Sequence, residues 1–142
     1  MEQENNKKIN DKSLNITELI ASLKDKKELV RAEAAFALGE LQATEAIPYL
    51  ENALKVENRK RARLDMYFAL CKVGKETDLA PLLHMLKAKP PATRKEAADR
   101  LVRLANKGNR QDIKAALEYA LVKEEDQELI EELQKGISAL SN

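Results

Sequence analysis

An internal repeat restricts this chain's fold more than any other feature of its sequence. Arg31, Arg63 and Arg94 stand 32 and 31 residues apart, and Leu38, Leu70 and Leu101 keep the same two spacings, as do Leu41, Val73 and Leu104. A period of this length means one supersecondary unit used several times. Each copy is too small to bury its own apolar stripe, so neighbouring copies must stack into a shared core. From about Asn15 onward the apolar residues recur at steps of three and four, and no stretch alternates with a period of two, so the repeated unit is helical. Composition agrees. Charged residues make up 35% and hydrophobic ones 44%, with only four Gly and four Pro, which suits exposed helix and excludes collagenous, mucin-like and disulfide-stapled chains.

Caps and breakers set the expected helix limits. Leu19, Ile20 and Leu23 form a first short stripe, and Asp25 with Glu28 resembles a capping box opening a helix from Glu28 to Leu41. Thr44 is expected to cap a helix to about Val56, and a helix from Arg59 to Val73 is stopped by Gly74. Asp78 to Lys87 is the next segment. After Pro90-Pro91, Thr93 and Glu96 offer a second capping box for a helix to about Lys107, closed by Gly108. Gln111 to Lys123 and Asp126 to Leu140 complete eight helices. They pair as short then longer: Leu19 and Leu50 are 31 apart, as are Leu23 and Leu54, and Pro48 and Pro81 each fall in a first turn. Aligning Leu133 with Leu101 sets Ile130 against Ala98 and Asp126 where the arginine would stand, the pattern of a divergent terminal repeat.

Residues 25 to 54, DKKELVRAEAAFALGELQATEAIPYLENAL, resemble the HEAT-like repeat first associated with phycobilisome lyases. The matching positions are Asp25, Val30-Arg31, Ala34-Ala35, Ala37-Leu38-Gly39 and Ile47-Pro48 followed by Leu50; the second and third units match in part and the fourth weakly. Tetratricopeptide and ankyrin signatures are absent. The resemblance implies an all-α, right-handed α-α superhelix: a short HEAT-like solenoid of about four helix pairs over residues 15–142. Residues 1–14, polar and mixed in charge, are expected to be a disordered tail. It also implies that the second helix of each pair lines the concave side, and that the repeated arginine bridges neighbouring repeats rather than forming an anion-binding ladder.

With the second helices projected at about 100° per residue, Ala97, Ala98, Leu101, Leu104 and Ala105 gather on one side of the third and leave Glu96, Arg100, Arg103 and Lys107 opposite. The register aligns Glu96 with Glu33 and Asp65, Arg100 with Ala37 and Ala69, and Arg103 with Glu40 and Lys72. The inner ridge is therefore expected to grade from acidic to basic, with Lys72, Arg100, Arg103 and Lys107 as candidate partner-binding residues. Charge along the chain points the same way. Residues 1–54 carry 7 basic and 10 acidic groups, residues 55–110 carry 15 and 6, and residues 111–142 carry 3 and 8, so a net charge of +1 hides segments of −3, +9 and −5. A middle this basic attracts an acidic protein, a nucleic-acid backbone or an anionic ligand. The alternative is a solvated surface whose charges pair at i, i+4, as for Arg61 and Asp65.

Most chemistry lacks its residues. One Cys, one His and no Trp leave no metal-ligand set, and no Gly-rich phosphate loop or nucleophile elbow is present, so no catalytic residue, cofactor or metal is expected. Cys71, in register with Gly39 and Val102, is expected to be a buried inert thiol. Tyr67 and Phe68 read as core; Tyr49 and Tyr119 lie on first helices, either partly buried or presenting hydroxyls to a partner. Glu124, Glu125, Asp126 and Glu128 suit a helix N-terminus, where the macrodipole favours negative charge. The first residues carry no signal-peptide pattern, and the longest apolar run, Met66 to Cys71, is far short of the roughly 20 residues that cross a bilayer.

The leading expectation is a cytoplasmic, non-catalytic interaction or scaffold module that presents a partly basic ridge to an acidic protein. The resemblance also admits a bilin lyase-like or phycobilisome-related chaperone role. Nucleic-acid backbone binding is a further alternative, disfavoured by the missing Trp and by a pI of 7.8, below the figure of about 9 typical of such proteins. Head-to-tail self-association of the acidic end with the basic middle is a corollary of the segment charges.

Overall fold

The computed structural model describes residues 15–76 and 78–141; the tail expected at 1–14 lies outside them. Among the described residues the regular elements are all helical. They are α1 (residues 15–22), α2 (Glu28–Glu40), a 3-10 turn (Thr44–Ala46) leading into α3 (Ile47–Val56), α4 (Lys60–Lys72), α5 (Ala80–Met85), α6 (Pro91–Leu104), α7 (Arg110–Lys123) and α8 (Gln127–Ser141). The all-α class and the four successive short-then-long helix pairs are as the sequence leads one to expect. The chain forms two compact units, α1–α4 through Glu76 and α5–α8 from Thr77.

In the first unit α2 packs on α4, and α3 covers α4. The α2 contact is close because its inward face is small: Ala32, Ala34, Ala35, Leu38 and Gly39 are buried. A Cβ on Gly39 would stand 2.9 Å from Ala69 Cα and 3.0 Å from the Phe68 ring. Phe36 and Phe68 stack beside this contact, with centroids 5.4 Å apart and planes at 22°. Ile16 and Leu23 of the first pair and Leu50 of α3 close the same core, with Leu19 and Ile20 packed at its edge. Each fully buried leucine of this kind contributes about 2 kcal/mol by removal from water.

The long helices of this unit end alike, 32 residues apart. After α4, Gly74 takes φ +85° while Lys75 N–H donates to Leu70 O at 3.0 Å; after α2, Gln42 takes φ +51° while Ala43 N–H donates to Leu38 O at 3.0 Å. Both are left-handed closures that satisfy otherwise orphaned carbonyls. Gly74 thus does what its sequence position indicates, and Gln42 does it without glycine's freedom.

In the second unit α8 packs on α7 and α6. Leu129, Leu133, Gly136 and Leu140 face inward from α8, Ile113 and Leu117 from α7, and Ala97, Ala98 and Leu101 from α6. A Cβ on Gly136 would meet Val102 Cγ2 at 3.0 Å. Leu82 and Leu86 anchor α5.

Helix starts depart from the expected capping boxes. The residue before α2 is Lys27, with no side-chain cap; Asp25 Oδ1 instead accepts from Lys27 N–H at 2.9 Å, forming an Asx turn one step earlier. Thr44 sits inside the 3-10 turn, because Ala46 N–H, which its hydroxyl would cap, already donates to Ala43 O at 2.9 Å and starts the turn one residue earlier. Thr93 lies buried within α6, whose first residue is Pro91: proline has no N–H to cap, and its fixed φ starts the helix. Asp126 does cap, accepting from Leu129 N–H at 3.0 Å, which explains an acid where the other repeats carry arginine.

Candidate functional site

The repeated arginines build a multiply hydrogen-bonded polar cluster in each unit. Arg31 on α2 forks onto Glu57 at the end of α3, Nε to Oε1 at 2.6 Å and Nη2 to Oε2 at 3.0 Å, while Nη1 donates to the carbonyls of Asp25 and Lys26. Arg94 on α6 repeats the pattern on Glu124 at 2.8 and 2.9 Å, with Nη1 donating to the carbonyls of Ala88 and Lys89. The hydrogen bonds from the guanidinium forks hold both carboxyls below their ordinary pKa, and each arginine is raised in turn. Arg63 lacks a carboxylate partner among the described residues. It donates to Leu54 O, Glu57 O and the Tyr67 hydroxyl oxygen. Arg31 and Arg94 therefore fasten the loop before their own helix to the glutamate after the next first helix, and Arg63 ties α4 back to the end of α3. Arg31 and Arg94 thus have the bridging role implied by the family resemblance, whereas Arg63 stays within its own helix pair.

The four predicted partner residues divide between the units. Lys72, half-buried, ends α4 in the first; Arg100, Arg103 and Lys107 belong to the second. There the geometry differs from the helical projection. Arg100 is only 6% exposed, with Nη1 2.6 Å from Asp99 Oδ2 and 3.0 Å from Glu96 Oε2. Arg103 is exposed and shares the same Asp99 oxygen at 2.9 Å. Lys107 is exposed too, but α6 ends at Leu104, so Lys107 stands on the following turn. That early stop has a cause. Asn106 Oδ1 accepts from Gly108 and Asn109 N–H, and Asn109 Oδ1 accepts from Asn106 N–H, so two side-chain amides replace the helical bonds. Projection along one helix registers only that helix; burial depends on everything packed around it.

A pair of grooves between first helices has no counterpart among the sequence expectations. In the second unit a groove of about 860 Å³ runs between α5 and α7. Leu83, Leu86, Ala116 and Ala120 give it an apolar floor, Lys87 and Lys89 edge one wall, Tyr119 and Lys123 the other, and the Arg94–Glu124 pair closes its base. Lys123 Nζ lies 4.6 Å from the Tyr119 ring centroid. Its hydrogen bond to the Tyr119 hydroxyl, assisted by the charge of Lys87, holds that phenol below its usual pKa. His84 lines the groove and is exposed, as are Lys87 and Lys89. In the first unit a smaller groove of about 510 Å³ lies between α1 and α3, closed by Arg31–Glu57. Its lining is the register image of the other: Ile20 for Leu83, Lys24 for Lys87, Asn52 for Tyr119 and Val56 for Lys123. The signal for these grooves was present in the shared register of the first helices and in Lys87, Lys89 and Lys123.

Tyr49 and Tyr119 are 50% and 56% exposed, as first-helix tyrosines offered to solvent would be, whereas Tyr67 is half-buried with its hydroxyl engaged. Cys71 is half-buried rather than sealed. Among the described residues no group of three His, Cys, Asp or Glu side chains is placed to hold a metal ion, and no helix is long and apolar enough to cross a membrane.

No curated protein matches the chain at a significant level. A family model of HEAT repeats matches residues 16–101, which takes in α2 to α5, most of α6 and the Arg31, Arg63 and Arg94 series. With helix pairs, register and arginine clasps all in place over more than half its length, the chain belongs to the HEAT repeat family.

Proposed function

We propose that this protein is a non-catalytic interaction or scaffold module of the cytoplasm that holds an acidic protein partner. HEAT repeats generally mediate protein–protein interaction. The observation that carries the charge of the partner is the concentration of 15 basic against 6 acidic groups in residues 55–110. Arg103 and Lys107 are the exposed cations of the predicted set in the second unit and make direct contact with the partner, and Arg100 orders Asp99 and Glu96 from a buried position. The single thiol, with no second cysteine to join, suits a reducing compartment.

Affinity capture from the source cell, with the intact chain as bait, tests this reading. Capture of an acidic protein by the parent, lost with the Arg103→Glu/Lys107→Glu variant at unchanged helicity, is the expected result. Equal capture by parent and variant overturns this surface. A shift in visible absorbance on mixing with a bilin would replace the reading with the lyase-like one.

A further inference from the structure

From the α5–α7 groove we infer a second binding site, one that takes a short acidic peptide segment bearing an apolar side chain. It rests on the reading of the chain as an interaction module, but not on the α6 residues assigned above. Two observations carry it. The first is complementarity within one unit: the floor of Leu83, Leu86, Ala116 and Ala120 accepts an aliphatic side chain, while Lys87 and Lys89 on one wall and Lys123 on the other accept carboxylates from either side. Among the described residues neither Lys87 nor Lys89 is ion-paired, and of the two glutamates at the base Glu124 is already neutralised by Arg94, leaving only Glu125 to oppose three ammonium groups.

The second observation is the comparison that the repeat itself provides. The groove of the first unit has the same frame and the same arginine–glutamate base, yet Asn52 and Val56 stand where the second has Tyr119 and Lys123. Retaining the frame needs none of those changes. They add one cation at the groove wall, place Tyr119 beside it where the first groove carries its ring on Tyr49, in register with Ala116, and leave the groove larger, about 860 against 510 Å³. A peptide is favoured over a nucleic acid because the Lys123 ammonium lies over the Tyr119 ring, the largest aromatic face lining the groove, and so occupies the surface on which a base would stack.

The test uses the full chain and a fluorescein-labelled peptide of sequence Asp-Glu-Leu-Glu-Asp-Leu-Glu, followed by anisotropy at moderate ionic strength and by amide shifts in an ¹⁵N-labelled sample. Expected are saturable binding, shifts clustered at Leu83, Lys87, Tyr119 and Lys123, and about tenfold weaker binding or more for Lys87→Glu/Lys123→Glu. Lys24→Glu in the first-unit groove and Arg103→Glu/Lys107→Glu leave the peptide affinity unchanged. All these side chains are exposed, so helicity by circular dichroism is retained. Three outcomes overturn the inference: peptide affinity indifferent to Lys87 and Lys123, tighter binding of a short oligothymidylate at the same residues, or a concentration-dependent oligomer that the Lys87→Glu/Lys123→Glu variant dissociates. Loss of cellular capture with the α6 variant, at full peptide affinity, separates failure of one site from failure of the other.

Discussion

Removing the Arg94 guanidinium by Arg94→Ala deletes four directed hydrogen bonds at once: the two-pronged contact with Glu124 at 2.8 and 2.9 Å, and the bonds to the carbonyls of Ala88 and Lys89 at 2.8 and 2.7 Å. The Glu124 side chain is 6% exposed and would keep only the N–H groups of Glu125 and Asp126, both at 3.1 Å. Breaking a buried pair from one side costs about 3–5 kcal/mol. Arg94 retains 20% of its side-chain exposure, so water offsets part of the loss, and we expect about 3 kcal/mol, roughly a 10 °C fall in midpoint. Urea and thermal unfolding followed by circular dichroism measure it. Arg94→Lys keeps the charge and loses the fork, and is expected to recover about half. Arg63→Ala supplies the contrast: Arg63 binds two carbonyls and a phenol but no carboxylate among the described residues, so its loss is expected to cost only about 1–2 kcal/mol. An Arg94→Ala protein within about 0.5 kcal/mol of the parent, or one no less stable than Arg63→Ala, would refute the assignment of the clasp as a structural fastening.

Glu57 and Glu124 have folded-state pKa values below the ordinary value of 4.5, so the folded state binds fewer protons than the unfolded one; stability is full above about pH 4.5 and declines as the pH falls further. A Glu57→Gln/Glu124→Gln protein is expected to be less stable at neutral pH and to show a flatter profile between about pH 5 and 2 in acid titration. Gln42→Gly relieves a left-handed residue and should stabilise by about 0.5–1 kcal/mol, while Gly74→Ala, at φ +85° with open space around it, should cost about 1 kcal/mol; equal effects of the same sign would contradict the paired helix closures. Arg100→Glu, which would place a carboxylate beside Glu96 and Asp99 at a site 6% exposed, should lower the melting point by several degrees, whereas Arg103→Glu should leave it within about 2 °C.

The repeat and its period, the paired helices and the register of the three arginines were legible because each depends on local spacing, while the bridging role of the arginines came from the family resemblance. Period fixes which residues share a helix face, and Gly74 stops α4 whatever packs around it. Capping was less legible. Asp25, Thr44 and Thr93 are good caps by composition, but Asp25 turns onto Lys27 N–H, Ala46 N–H is taken by Ala43 O ahead of Thr44, and Pro91 starts α6 before Thr93. The candidate ridge was legible as charge and misread as geometry at two positions, Arg100 by burial and Lys107 by the asparagine turn that ends α6 early.

Sequence by itself thus determined the repeated unit, its helical character, the family and the basic middle of the chain, since spacing and charge survive without coordinates. Only tertiary structure decided which cations reach solvent, that Arg94 and Arg31 each find a glutamate 30 and 26 residues away, and that the first helices leave two matching grooves of different chemistry. Burial and long-range pairing depend on the sum of everything packed around a side chain. A linear pattern carries only its neighbours along the helix.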